Sequence, residues 1–397
     1  MTDVMAPLCT DALAEDAERR ARVALSFLAP PGDPLLGAAL RLTSASQVLA
    51  AITGEAPDGT LELSGHMPDT ALARAMSRWR VRLSQLPGTD RLAAWERSGL
   101  RLVFPGDAEW PAQLDDLGDA RPLVLWARGT ACLRSACLSS VAVVGARAAS
   151  AYGSHVALEM AASLAERGTT VISGGAYGID ASAHRGALAT GGVTVAVLAG
   201  GLEFGYPRGH SDLFHEIAAE GVLVSECPPD SAPTRPGFLV RNRIIAALSH
   251  GTVVVEAALR SGALNTAKHA RELCRPVMAV PGPVTSEYSA GCHELIRDYG
   301  AMCVTSAADV RAQLGLADAA PPPDDLTGGL RLGPGRPRDG LDPITTAVLE
   351  EVPARGGRGP ASIAVRAGVT LDETLRCLGI LAVAGFVERT QRGWRTR

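Results

Sequence analysis

Lysine is almost missing from this chain: Lys268 is the only one among 397 residues. The other strong cations are arginines, a skew that the codon bias of a GC-rich genome produces. Its physical consequence stands whatever the cause, because a guanidinium offers phosphate a planar fork and stacks on flat rings. Net positive charge is missing too. The formal charge is −4, so any polyanion site must be local rather than global. The eight cysteines (Cys9, Cys132, Cys137, Cys227, Cys274, Cys292, Cys303 and Cys377) form no CxxC pair and no His/Cys grouping at zinc spacing. That spacing excludes the common zinc modules and leaves no metal site to expect. Several lie in apolar runs, where a free thiol behaves as a small hydrophobe, and reduced thiols are the expectation. No uninterrupted apolar stretch reaches membrane-spanning length, so no membrane partner is expected. The N-terminal stretch carries Asp3, Asp11, Glu15, Asp16 and Glu18, unlike a signal peptide. A cytoplasmic protein is expected.

What is present is an ordinary globular composition, with 47% hydrophobic and 20% charged residues, enough for a sizeable core. The length predicts two or three domains. Residues 1–100 read as helical: Arg20–Leu28, Ala71–Leu83 and Asp90–Ser98 have apolar residues at helical spacing between Pro/Gly turns. Leu102–Phe104 and Pro122–Trp126 are short apolar runs of strand length.

From about Ser140 the pattern becomes regular. Predicted strands are Val141–Val144, Thr170–Ser173, Val193–Leu198, Val222–Ser225, Thr252–Val255, Val277–Val280 and Met302–Thr305. Between them lie predicted helices at Tyr152–Arg167, Ala181–Ala189, Ser211–Glu220, Arg241–Ser249, Thr266–Leu273 and Cys292–Asp298. Strands apolar throughout, alternating with helices, imply a doubly wound parallel sheet covered on both faces, a Rossmann-like α/β domain over 101–318. Residues 319–341 are rich in Pro and Gly and predict a flexible linker. Residues 342–397 hold eight arginines against six acids. They read as three helices and a short hairpin, a winged-helix pattern.

In an open α/β sheet, ligands bind beyond the carboxyl ends of the strands. Glycine turns recur there: Gly145 with Ala146 and Arg147; Gly174, Gly175, Tyr177, Gly178 and Asp180; Gly200 with Gly201; and Gly282. One such turn serves equally as a tight connection. Several at one edge, one carrying an arginine, predict an anion pocket. It is neither a P-loop nor a dinucleotide fingerprint, since GxxxxGK[ST] and GxGxxG are absent, and no cofactor is expected.

The stretch Arg235–Arg243 is the second feature, with three arginines and Phe238 in nine residues and no acid. Phe238 is placed in a loop, with Arg241 and Arg243 in the first turn of the next helix. Cations there oppose the macrodipole, which an anion bound at that end would relieve. Backbone cations beside an aromatic platform suit a single-stranded nucleic acid. A capped core with solvated arginines fits the same residues. Catalytic groups do not assemble: His184, His210, His215, His269 and His293 are scattered, and no nucleophile has a recognisable frame. Asp180 and Asp212 suit helix capping. Glu256 ends a strand, as a catalytic carboxylate or as an anchor for loop amides. Ser261 and Gly262 would add amide donors to the pocket.

From Leu102 to Asp309 the chain resembles the DprA/Smf family of DNA-processing proteins. The motifs are Val143–Arg147, Ser173–Asp180 with Ala183–Gly186, Tyr206-Pro207, Ser225-Glu226, Arg241–Ala246, Val255–Ala257 with Arg260–Gly262, Val280–Gly282, and Ser289–Gly291 with Leu295-Ile296. The helical N-terminus is similar to the family's sterile-alpha-motif-like segment, and the C-terminal piece to its winged-helix appendage. The resemblance implies a homodimer through the Rossmann-like domain that binds and protects single-stranded DNA during natural transformation and helps load the RecA recombinase. It implies no enzymatic activity. It assigns Arg147 to the glycine pocket, and Arg235, Phe238, Arg241, Asn242 and Arg243 to the DNA-contacting segment. Gly145, Gly174, Gly175, Tyr177 and Gly178 join them as pocket residues, and Lys268 is a further candidate.

Departures from the family pattern bear on the contacts. Ala146 stands where a hydroxyl residue is usual, Gly237-Phe238-Leu239 replaces Asn-Phe-Pro, and Tyr177 replaces a basic residue. His210 and His293 replace asparagines. Two other functions remain open. A nucleotide-processing enzyme related to phosphoribohydrolases would carry a Pro-Gly-Gly-x-Gly-Thr loop, which is absent. A transcription regulator would use 342–397 on duplex DNA.

Overall fold

The computed structural model describes residues 6–55, 69–203, 205–316, 341–354, 356–390 and 393–396. All but the last residue of the predicted 319–341 linker lies outside them. The chain divides into two compact units, Met1–Ala319 and Ala320–Arg397.

The first unit is built on a nine-stranded sheet. Its strands are β1 (Arg101–Val103), β2 (Leu125–Gly129), β3 (Ser140–Val144), β4 (Thr170–Ser173), β5 (Thr194–Leu198), β6 (Val222–Ser225), β7 (Thr252–Val254), β8 (Val277–Ala279) and β9 (Met302–Cys303). Their order is β1-β2-β6-β5-β4-β3-β7-β8-β9. The seven strands from β6 to β9 run parallel, as expected. The sheet is not wholly parallel, however. β2 joins β6 antiparallel, and β1 joins β2 antiparallel. These two strands cover the β6 edge, which would otherwise expose unpaired backbone.

The chain winds outward from β3 through β4 and β5 to β6, then returns to start β7 on the other side of β3. This is the topological switch point, where the segments leaving two adjacent strands turn to opposite faces and open a crevice. Side chains alternate accordingly. Val141 and Val143 pack under the helix Ala151–Glu166 on one face, while Ala142 and Val144 point to the face that carries Ala263 and Ala267 of the helix Gly262–Glu272.

The helical stretch before the sheet has its own core, with Leu25, Leu28, Val48, Ile52 and Trp79 fully shielded. It also shares a second cluster with the sheet. Phe27 and Trp95 stack at 6.2 Å, and both meet Trp126 of β2 edge-on. Residues 1–100 thus belong to the same compact unit as the sheet.

In the second unit, helices Pro343–Glu350, Pro360–Ala367 and Leu371–Val383 precede a hairpin of β10 (Val387–Thr390) and β11 (Gly393–Thr396). Asp342 caps the first helix, and Thr370 with Glu373 forms a capping box on the third. Val348, Ile363, Leu378 and Leu381 fill its small core.

Leu125 on β2 is fully buried against the sheet core. Leu125→Ala is expected to cost about 2–5 kcal/mol of stability, read as a lowered urea midpoint at constant slope.

Candidate functional site

At the switch point the loops after β3, β4 and β7 knit together. The Ala146 N–H donates to the Glu256 carbonyl at 2.8 Å, and the Ile179 N–H donates to the Ala146 carbonyl at 3.2 Å. Gly178, at φ 79°, sits where a Cβ would fall 2.3 Å from the Ala146 carbonyl oxygen, so only glycine lets these two loops touch. The Glu256 carboxylate accepts from the Ser150 N–H at 2.9 Å and its hydroxyl at 2.5 Å. Glu256 therefore anchors the loop leading into helix Ala151–Glu166.

Beside these loops lies a groove of about 710 Å³. One wall is the helix Arg235–Leu248, which contributes Arg235, Phe238, Leu239, Arg241, Asn242 and Ile245. Gly145, Ala146 and Arg147 form another side, and Arg260, Ser261 and Gly262 a third, where helix Gly262–Glu272 begins. The Arg147 guanidinium lies 4.4 Å above the Phe238 ring. Tyr206 meets Phe238 edge-on at 5.8 Å. Arg147, Arg235 and Arg260 are exposed, and among the described residues no carboxylate pairs with them. The groove thus offers three uncompensated forks around an aromatic and aliphatic floor.

The helix begins earlier than its sequence pattern suggests. Thr234 is the N-cap, accepting from the Gly237 N–H at 3.1 Å, and Pro236 fits the first turn. Phe238 is therefore within the helix, not in a loop before it, and Arg235 rather than Arg241 or Arg243 is the first-turn cation. The Thr-x-Pro start was legible in the sequence; the arginine run drew the boundary too late.

Arg241 and Arg243 are 7% and 5% exposed, so neither is a solvated cation. Arg241 reaches under the glycine loop, donating to the Gly174 carbonyl at 2.7 Å and to the Val197 carbonyl. From the other side Asp180 accepts from the Gly174 and Ala176 N–H groups at 3.1 and 3.4 Å. The protein's own carboxylate thereby occupies amides expected to face an anion. Burial pulls the Arg241 guanidinium down to about 10, with Asp180 opposing and Arg147 adding to the shift. Burial likewise pushes the Asp180 carboxyl up, opposed by Arg241. Arg243 points away from the groove. It donates to Glu226 Oε1 at 2.8 Å and to the Ala120 carbonyl at 3.0 Å.

Of the residues expected at the site, the structure brings Gly145, Arg147, Arg235, Phe238, Arg241 and Asn242 to one groove. Gly174, Gly175, Tyr177 and Gly178 do not line it. Tyr177 is exposed and packs on His210 at 4.5 Å. Arg243 is corrected to a buried ion-pair partner. Lys268 is an exposed surface residue 3.6 Å from Glu272 and does not line this groove. Sequence reasoning left Arg260, Tyr206 and Leu239 off the site. Arg260-Ser261 directly before a helix start, in the loop after β7, was the available signal.

The histidines do not converge. His184 is buried with Nδ1 at 2.8 Å from Thr194, and His210 bonds the Gly175 carbonyl at 3.0 Å. Among the described residues no His/Cys/Asp/Glu cluster is placed to hold a metal ion, and no single helix is long and apolar enough to cross a membrane. Cys132, Cys137, Cys227, Cys274, Cys292, Cys303 and Cys377 are free.

Residues 101–315 match the family described as DNA recombination-mediator protein A. The chain is 48% identical over 318 residues to a DNA processing protein DprA of Mycobacterium tuberculosis, covering 77% of this chain and 79% of that one. It is 36% identical over 223 residues to the DprA of Bacillus subtilis, covering 56% and 74%. The solved DprA of Streptococcus pneumoniae superposes with a TM-score of 0.55 at 34% identity, over 67% of this chain and 92% of that one.

Two buried groups give testable outcomes. Arg243→Ala strands the Glu226 carboxylate and is expected to cost about 3–5 kcal/mol, measured by urea unfolding. Burial holds His184 down at about 3 against an ordinary 6.5. The unfolded chain therefore takes up a proton that the folded chain refuses, so stability is lost as pH falls below 6.5. His184→Gln is expected to flatten the stability profile between pH 6.5 and 5; an unchanged slope would contradict this account.

Proposed function

This chain belongs to the DNA recombination-mediator protein A (DprA/Smf) family, and from that premise we propose that it binds single-stranded DNA in the groove along helix Arg235–Leu248. It acts on DNA as a binding protein, not as a catalyst. The observation that carries this reading is the Arg147 guanidinium seated over Phe238, with Arg235 and Arg260 unpaired beside it. Phosphates take the forks, and a base finds a ring face. A base already unpaired can stack on the ring without breaking a pair, which favours a single strand over a duplex.

The finer readings rest on the family. The protein protects incoming DNA in the cytoplasm during transformation, delivers the strand to RecA, and works as a homodimer through the 101–318 domain. The 342–397 unit, three helices with a hairpin, acts as a winged helix on a linker over 319–341. Sedimentation of the full chain, alone and with RecA and DNA, reads the dimer and the RecA contact.

The binding itself is tested by anisotropy with labelled single-stranded and duplex oligonucleotides across a salt series. The slope of log affinity against log salt is expected to be about −0.7 per phosphate contact. Arg147→Ala, Arg235→Ala and Arg260→Ala should each remove about one such increment. Phe238→Ala should lose roughly 1–3 kcal/mol of stacking without changing the slope. Wild-type affinity in the triple arginine variant, or equal affinity for duplex, would refute the assignment.

A further inference from the structure

We infer that Glu226 is a positioning residue for the groove, acting through Arg243 and joining the N-terminal helical stretch to the helix that carries Arg235 and Phe238. The inference rests on the single-stranded DNA reading above. Glu226 lies just after β6 and is 8% exposed. Its Oε1 accepts from Arg243 at 2.8 Å and from the Gly32 N–H at 3.0 Å. Arg243 in turn donates to the Ala120 carbonyl at 3.0 Å. Four separate segments therefore meet at one buried ion pair: the loop at Gly32, the turn at Ala120, the end of β6, and helix Arg235–Leu248.

Gly32 shows how closely they meet. Its φ is 66°, and a Cβ there would stand 2.8 Å from the Arg243 guanidinium. A side chain at this position would push directly on the fork. Neither Gly32, Glu226 nor Arg243 lines the groove, whereas Asn242 and Ile245, on the same helix, do. Phe238 is five residues from Arg243, about 7.5 Å along a stiff helix. A tilt of the helix at Arg243 therefore moves the ring under Arg147. A buried ion pair is a poor source of stability compared with apolar packing, but a guanidinium held by Nη2 on Glu226 and by Nε on Ala120 fixes angles. Its function here is to set the helix against both the sheet and the N-terminal stretch.

Thermodynamic coupling is reciprocal. If the junction sets the groove, then DNA in the groove must steady the junction. The first test uses the wild-type full chain and an oligothymidylate probe. Hydrogen exchange at the Gly32 amide, remote from the groove, is expected to slow when the probe saturates the protein. The second test is Gly32→Ala, which leaves both charges in place, alongside Glu226→Gln. Each is expected to weaken oligothymidylate binding about tenfold at every salt concentration, with the salt slope unchanged and the chain folded by circular dichroism. Arg147→Ala, by contrast, lowers the slope. Unaltered Gly32 exchange on DNA binding overturns the inference. So does wild-type affinity in the folded Gly32→Ala chain, or a reduced slope in either junction variant, which would place Arg243 on a phosphate. A wild-type chain that ignores oligothymidylate altogether refutes the DNA reading instead.

Discussion

Two guanidinium groups, both withdrawn from water, hold the helix Arg235–Leu248 in its place. Burying a charge is costly unless its hydrogen bonds are completed, and each fork completes them differently. Arg241 spends its donors on backbone carbonyls at the ends of β4 and β5, with the Asp180 carboxylate nearby. Arg243 takes a carboxylate and the carbonyl of a distant turn. The first ties the helix to the glycine loop, the second to the segments around the β6 edge. The position of the groove wall follows from both.

This arrangement divides the arginines by task. Arg147, Arg235 and Arg260 stand at the groove with no carboxylate partner among the described residues, while Arg241 and Arg243 are committed to the protein. Both classes occur within nine residues of sequence, so composition could not sort them. The glycine loop shows the same economy. Its amides face a carboxylate from the chain itself, which leaves arginine side chains and the start of helix Gly262–Glu272 at the groove. The topological switch between β3 and β7 brings these parts to one crevice.

The alternating apolar runs were sufficient for the parallel core, because a strand buried on both faces must be apolar throughout and a helix must return between parallel strands. Boundaries of most of these elements fell within a few residues of the observed ones. β1 and β2 were visible as apolar runs, but not their antiparallel direction, since direction depends on where the connecting chain can reach. The helix at Arg235 began six residues before its predicted start. There the local capping signal, Thr234 and Pro236, competed with a charge pattern that looked like a loop.

From the sequence alone follow the sheet, its glycine-rich edge, the arginine cluster with its aromatic, and the family resemblance. All of these are properties of short windows, set by periodicity and residue type. Only the tertiary structure decided which arginines reach solvent, that Glu226 and Gly32 close over Arg243, that Asp180 fills the loop, and that Arg260 joins the groove while Lys268 does not. The reason is that the fate of a charge depends on partners far along the chain. A carboxylate 17 residues away and a backbone amide 194 residues from that carboxylate settled it for Arg243, and no local pattern encodes such a meeting.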